Sequence, residues 1–457
     1  MAQAGTKEIF EEMPVRKALR VMAVPTIFSQ LIILIYNLAD TFFIGKTNNP
    51  YMVAGVSLML PVFNVCLAVA GLAGIGGGTL ISRLLGARRE EEAKKVSSFC
   101  FLMGVLIAGV FSVVIFFFAK PIMFALGASE QTYPFAYQYS MCVIVLGAIP
   151  TVSSNIMSNL LRSVGHSREA GIGIAMGGCV NIVLDPLFMF VIMPKGREIV
   201  GVGLATLISN CLACCYFFYV IAKKQGEEKI VRIRPGKDLP QKESIKSVFY
   251  VGIPSAAGSL LFDLNYVVID KLMSGYSDIA LAAIGIVLKA ERLPLNIGVG
   301  ICQGMTPIVA YNYAAKNYKR MNDTIRTAQR SGVIVGLCSI VLYEIFASQI
   351  IMAFIQDPET VALGTSFLRA RCVATPLMFL SFSTLHTFQG FGEGGIALFL
   401  AMMRWLAFNI PMLFIMNAAF GMYGIVWAQL AADVFTVSLS FCMLHRYQKR
   451  FESEGAA

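Results

Sequence analysis

The sequence predicts an all-α polytopic membrane protein, with twelve membrane-spanning helices in two six-helix halves that face the same way. Three observations carry this. The chain is 57% hydrophobic and only 14% charged, with a mean hydropathy of +0.70, too little polar surface for a water-soluble protein of 457 residues. Apolar windows long enough to cross a bilayer at about 1.5 Å per residue recur along its whole length. Landmarks of the first half return 221 to 229 residues later: Pro25 as Pro254, Pro150 as Pro376, Gly165 as Gly392, and Gly203 as Gly424. Small drift in the offset is what loop insertions produce, and parallel repeats of this kind relate two halves by an axis along the membrane normal.

In chain order, apolar windows bounded by charged or Gly/Pro-rich breaks lie at 18–45, 52–82, 97–119, 134–161, 170–193, 199–222, 247–273, 279–312, 330–354, 365–390, 395–418 and 421–445. The second and eighth are long for one crossing and are expected to tilt or project beyond the hydrocarbon. Gly74-Ile75-Gly76-Gly77-Gly78 falls inside the second, where small residues let helices approach, so it reads as packing and not as a phosphate loop. Gly45-Lys46-Thr47 lacks the first glycine of a nucleotide-binding loop, because Asp40 stands there. The basic stretch 223–246 links the halves and is far too short for a nucleotide-binding domain, so no ATPase activity or ATPase subunit is expected. The expected division is therefore 1–222, linker 223–246, and 247–457.

Lysines and arginines test the count. Taking the windows as alternating crossings, 27 of the 37 fall on the side of the N-terminus, five in the opposite loops and five within spans. Such asymmetry marks the cytosolic side and puts both termini there. It also explains the net charge of +10 without nucleic acid, since the charges follow the membrane. Residues 1–20 read as a cytosolic leader and not as a cleaved signal. The eleven cysteines lie in apolar runs and read as small hydrophobes.

Polar residues inside apolar spans are costly, about 2.5–3.5 kcal/mol for an ionisable group on insertion scales, and they mark pathways or pairs. Asp40 lies in the outer half of the first span. Asn181 and Asp185, four apart, share one face of the fifth in its outer half, and Thr206 reaches a similar depth in the sixth. Two carboxylates close together in a low dielectric do not both stay ionised cheaply, so one takes a proton or a cation sits between them. An all-oxygen set suits H⁺ and Na⁺ alike; a static polar cluster that only holds helices together is the alternative. The second half does not repeat the acidic pair. Asp263 in the seventh span is a competing or secondary site, and Lys289, Glu291 and Arg292 interrupt the eighth beside Pro294, as a Glu–Lys or Glu–Arg pair or as a substrate contact. Glu344, Arg404 and Asp433 read as interhelical partners, and His386 as a satisfied core histidine.

Pro25 to Asn37-Leu38-Ala39-Asp40, Gly86-Ala87-Arg88, Leu161-Arg162-Ser163-Val164-Gly165, Asn181-x-x-x-Asp185-Pro186, Ala282-Ala283-Ile284-Gly285 and Gly304-Met305-Thr306-Pro307-Ile308-Val309-Ala310-Tyr311-Asn312-Tyr313 together resemble the multidrug and toxic compound extrusion (MATE) transporters, in their bacterial MepA/DinF-like branch. The resemblance runs from about residue 13 to 448. It implies a MATE fold in a bacterial cytoplasmic membrane; no cofactor is expected, and a monomer, the expected state, is mechanically sufficient. By the same likeness the chain is expected to be an antiporter that exports organic, cationic or amphipathic drugs through a cleft between its halves by alternating access. It also implies a cation-coupling site for H⁺ or Na⁺ at Asp40, Asn181, Asp185 and Thr206, with Asn37 from the same first-span motif, and a bend of the first helix at Pro25. Two other readings stand beside it: a lipid-linked oligosaccharide flippase of the wider superfamily, and a channel or receptor.

Overall fold

The computed structural model describes residues 5–47, 49–223, 229–233 and 239–456, the last five without side chains. Linker residues 224–228 and 234–238 thus lie outside the described residues. Among the described residues there is no strand. A hydrocarbon layer leaves each span only its own backbone as hydrogen-bond partner, so helix follows directly from the composition.

Fifteen α-helices are named here in order: α1 (Val15–Gly45), α2 (Pro50–Gly86), α3 (Glu90–Ala125), α4 (Tyr133–Ser140), α5 (Ala148–Ser163), α6 (Ser167–Leu187), α7 (Glu198–Lys223), α8 (Lys242–Ser274), α9 (Asp278–Ala314), α10 (Tyr318–Met352), α11 (Pro358–Cys372), α12 (Thr375–Phe391), α13 (Gly394–Met402), α14 (Ile410–Phe420) and α15 (Met422–Ala456). Wider π-helical turns occupy Glu8–Glu12, Met141–Leu146, Phe188–Ile192 and Met403–Asn409. Starts carry recognisable caps: Asn49 accepts from the Tyr51 amide, Ser277 from that of Ala280, and Asp357 from the amide and hydroxyl of Thr360. Those two donors hold the Asp357 carboxyl below the usual carboxylate range.

Among the described residues ten helices are long and apolar enough to cross a membrane, and Tyr133–Leu146 with Ala148–Ser163, bent by 48° at their junction, make an eleventh as a pair. All twelve expected windows fall on helix. The tenth, 365–390, differs from the expectation: it divides at Val373-Ala374 between α11 and α12, of 15 and 17 residues, and Arg369 and Arg371 lie in its first part. Arg371 is tolerated there by a buried ion pair, described below, and Arg369 by an exposed one with Glu344.

The chain forms two compact units, Met1–Glu12 with Phe28–Ala256 and Met13–Ile27 with Ala257–Ala457. These differ from the expected 1–222 and 247–457 by an exchange. The first part of α1 belongs to the second unit and the first part of α8 to the first, and each changes allegiance two residues after its proline, Pro25 or Pro254. Glycine explains both attachments. In the first unit, a Cβ on Gly76 would stand 2.4 Å from the Val248 carbonyl oxygen, and one on Gly252 would stand 2.3 Å from that of Leu72. In the second, a Cβ on Gly300 would meet the Ile27 backbone at 2.7 Å and one on Gly304 that of Ala23 at 2.7 Å. Backbones can come this close only where side chains are absent.

The start of α8 is further tied to the first unit by polar contacts. Glu92 on α3 accepts hydrogen bonds from the Gln241 amide and the Ser244 hydroxyl, both at 2.7 Å, and so caps the helix from outside. The described linker belongs there too, with Ile230 and Val231 buried and the Arg232 amide donating to Ser97. In the second unit, Leu19 and Ala23 of α1 share a core with Ile301, Met305, Met321 and Phe388. The tail of α15 is held by an aromatic group of Phe451, Tyr447, Tyr313, Tyr318 and Phe391.

The glycine contacts give a paired expectation. Gly76→Val, which drives a branched side chain into a carbonyl, should destabilise the purified protein by about 1–3 kcal/mol, the usual range for overpacking. Gly285→Ala, where a Cβ meets nothing within 4 Å, should instead stabilise α9 by up to about 1 kcal/mol. Thermal unfolding of both variants in one detergent checks the contrast, which equal shifts would remove.

Candidate functional site

In the first unit three helices converge on one acidic cluster. Asp40 comes from α1, Asn181 and Asp185 from α6, and Thr206 from α7. Close helix approach makes this reachable for short side chains. On Gly178 of α6 a Cβ would lie 2.6 Å from Ile32 and 3.1 Å from the Tyr36 ring of α1, and on Gly203 of α7 it would lie 2.6 Å from the Cys142 Cβ. Pro186 follows Asp185 directly and brings no N–H to the helix ladder, and the chain widens into the π-helical turn Phe188–Ile192.

Asn181 Nδ2 donates to Asp185 Oδ1 at 3.3 Å and to Thr206 Oγ1 at 3.4 Å. The Asp40 and Asp185 side chains lie within hydrogen-bonding reach of each other. Asp185 is fully buried and Asn181 nearly so. Yet Asp40 Oδ1, Asn181 Oδ1 and Asp185 Oδ2 are buried with no hydrogen-bond donor. An unsatisfied buried acceptor costs about 1–3 kcal/mol, and here three of them share one cluster with two carboxyls. Chemically, the arrangement suits a proton shared by the carboxyls or a hard cation bound by oxygen.

The structure brings together four of the five expected residues. Asn37 is exposed one turn earlier on α1, where its carbonyl accepts the Thr41 hydroxyl. Two phenols stand beside the carboxyls that sequence reading did not single out, Tyr36 and Tyr139. Tyr36 had a signal, because it precedes Asp40 by four residues and so shares its face. Tyr139, on the short α4, had none. Pro25 lies within α1, which runs through it as one helix.

The second unit holds a different arrangement. Glu291 accepts from Arg371 Nε and Nη2 at 3.1 and 2.9 Å, and both side chains are buried. The expected pairing of Glu291 with Lys289 or Arg292 is corrected here: both of these are exposed, and Arg292 stacks over Tyr266 at 5.5 Å. Residues two and one apart from Glu291 on a helix point away from it, so a cation from α11 fills the place. Arg404 pairs with Asp433 at 3.1 Å, Gln429 donates to Asp433 at 2.6 Å, and Asn409 donates to Gln429 at 2.7 Å. Glu344 pairs with Arg369 at 3.5 Å, and His386 Nδ1 sits 2.9 Å from the Phe382 carbonyl oxygen. Asp263 is half-buried on α8. Gly74, Gly77 and Gly78 pack on Asn159, Cys100 and the Asn159 carbonyl, as close helix packing requires.

Among the described residues no group of three or more His, Cys, Asp and Glu is placed to hold a metal ion. The Asp40 cluster differs from such a group in having two carboxylates completed by an amide and a hydroxyl. All eleven cysteines are free, and Cys179, Cys211, Cys215, Cys338 and Cys442 are exposed on the apolar helix surface instead of buried as expected.

The MatE family model matches the chain twice, over residues 25–187 and 254–415, so both matches begin at the paired prolines. The chain is 33% identical over 425 residues to the multidrug export protein MepA of Staphylococcus aureus strain MSSA476, covering 93% of this chain and 92% of that protein. It is 31% identical over 448 residues to MepA of Staphylococcus saprophyticus, covering 98% and 97%. Among solved structures, the outward-facing conformation of a multidrug resistance MATE family transporter of the MOP superfamily superposes with a TM-score of 0.92 at 22% identity, over 99% of this chain and 100% of that one. A MATE structure in the bent conformation gives 0.90 at 22% identity, over the full length of both chains. At such identity the likeness speaks for the fold.

The buried pair in the second unit yields a stability expectation. Glu291→Ala leaves the Arg371 guanidinium buried and unpaired and should destabilise by about 3–5 kcal/mol, whereas Glu291→Leu with Arg371→Met should recover most of that loss. Thermal unfolding of the three proteins decides, and a double variant no better than the single one would show that the pair is not acting as a unit.

Proposed function

The chain belongs to the MatE family of membrane transporters, and on that premise we propose that it exports organic drugs, cationic or amphipathic, in exchange for H⁺ or Na⁺ taken up at Asp40, Asn181, Asp185 and Thr206. It is an integral membrane transporter and not an enzyme. Its likeness to proteins called multidrug exporters supports the substrate class. What carries the coupling reading is the group of three buried oxygens without donors beside two adjacent carboxyls.

A proton or Na⁺ would supply the missing partner. Without it, two carboxylates in a low dielectric repel and three acceptors stay unsatisfied, so loaded and empty forms favour different arrangements of α1, α6 and α7. Pro25 removes one ladder bond from α1 and makes that helix easier to bend as the site loads. Tyr36 and Tyr139 stand near the carboxyls, where their phenols would feel the charge of the site. Both termini and the basic linker lie on the cytosolic side in this reading, and the cation enters from outside. A charge moving inward gains about 2.3 kcal/mol per 100 mV, but one-for-one exchange against a monovalent drug cation gains nothing from voltage. Export of a monocation driven by voltage alone would require more than one coupling charge.

Uptake of a fluorescent organic cation into inverted membrane vesicles, under a proton or a Na⁺ gradient imposed separately, tests this. The native chain should respond to one gradient. Asp40→Asn and Asp185→Asn should each reduce uptake to the level of vesicles lacking the protein, while Asn37→Ala should leave it unchanged. Full gradient-driven uptake by Asp40→Asn would move coupling away from this cluster. Absence of cation uptake under either gradient would favour a lipid-linked flippase.

A further inference from the structure

Away from the acidic cluster, the second unit has a surface groove of about 380 Å³ lined by Arg326, Gln329, Arg330, Val333 and Ile334 of α10 and Leu380 of α12. Neither arginine forms an ion pair among the described residues. Both are exposed, and Gln329 Nε2 beside them is buried without an acceptor. Three side chains that only donate hydrogen bonds at this point, two of them charged, therefore meet at one end of the groove. Within residues 316–330, Asp323, one turn before Arg326, is the single carboxylate, and it is outnumbered by Lys316, Lys319, Arg320, Arg326 and Arg330.

What lies beyond the arginines decides the kind of ligand. Residues 326, 330, 334, 337 and 341 fall along one stripe of α10. After Arg330 that stripe is apolar and outward-facing, with Ile334 59%, Leu337 52% and Val341 57% exposed. From Arg326 to Val341 it rises about 22 Å at 1.5 Å per residue. The arginines occupy the edge of the apolar span on the side marked by the basic loops, where headgroups lie, and the apolar stripe continues at the depth of acyl chains. Soluble anions would have no use for that stripe.

We propose that this groove is a binding site for an anionic phospholipid of the cytosolic leaflet, its phosphodiester held by Arg326, Arg330 and Gln329 and one acyl chain lying along Val333, Ile334, Leu337 and Leu380. Arg330 and Arg326, four apart, present two guanidinium forks to one phosphate, the geometry that suits arginine better than lysine. Basic pockets between helices at this level are a general means of selecting charged headgroups. The inference concerns a lipid and goes beyond drug export; its test does not depend on transport.

The experiment uses the full chain purified in neutral detergent, with phosphatidylglycerol, phosphatidylcholine or inorganic phosphate added. Lipid retention is read by native mass spectrometry and stability by thermal unfolding. Phosphatidylglycerol should be retained and should raise the melting temperature; phosphatidylcholine and phosphate should do neither. Arg326→Gln with Arg330→Gln should weaken phosphatidylglycerol binding about thirtyfold, about fivefold for each arginine at an anionic surface. Lys316→Gln with Lys319→Gln, equal in charge change but outside the groove, should leave it within about twofold on the same scale. Leu380→Trp, which keeps the charges but fills the apolar wall, should also displace the lipid and covers the case in which the double arginine variant fails to fold. Equal retention by the arginine variant, equal binding of phosphatidylcholine, or stabilisation by inorganic phosphate alone would each overturn the assignment.

Discussion

Hydrocarbon offers no hydrogen bonds, and this constraint organises both the fold and the chemistry of the chain. Each span meets it with helix, and several buried charged side chains meet it with a partner of opposite charge. In the second unit the buried acids have cationic partners: Glu291 with Arg371, and Asp433 with Arg404. The Asp40 cluster does not. Its carboxyls face each other, its amide spends its donors on neighbours, and three oxygens have nothing to accept. In the proposed reading, a proton or Na⁺ from outside the chain supplies the missing positive charge.

The two halves thus share a scaffold and divide the electrostatics. Their kinship is visible in the backbone, where Gly76 and Gly252 do for the first unit what Gly300 and Gly304 do for the second. Each set lets the leading part of a proline-containing helix lie against its companion at a distance no side chain permits. The side chains then diverge. The Asp40 cluster of the first unit has acid without base, whereas the buried acids Glu291 and Asp433 of the second are each paired with an arginine and tie α9, α11 and α15 into its core.

Arginine is used in two further ways that depth alone distinguishes. Arg371 and Arg404 are buried, each neutralised by a carboxylate, and Arg404 is also covered by Phe382 and Trp405 at 4.5 and 4.6 Å. Arg326 and Arg330 are exposed and form no ion pair among the described residues, so in the proposed lipid site their charge serves an anionic headgroup. A long flexible side chain can reach headgroups from there with little desolvation.

Much of this was legible in the sequence. Apolar length and the placement of lysine and arginine gave twelve windows that all fall on helix, and the repeated prolines and glycines located the two halves. Asp40, Asn181, Asp185 and Thr206 could be gathered because each is a polar residue in an apolar span, two share a helix face, and the others lie at matching depth. Tyr139 could not, because a tyrosine in a short amphipathic helix carries no sign of what it faces. Nor could Arg371 be named as the partner of Glu291, since a sequence brings forward the near cations, Lys289 and Arg292, whose helical positions turn them away. The exchange of helix segments at Pro25 and Pro254 was equally hidden: a proline marks where a helix is weak, whereas which neighbour its leading part joins depends on glycines hundreds of residues away. Sequence alone determined which segments enter the membrane and which residues are costly there, because both are local matters of composition and period. Tertiary structure alone decided which of those charged groups meet an opposite charge and which do not, because pairing depends on distances between helices that no local pattern records.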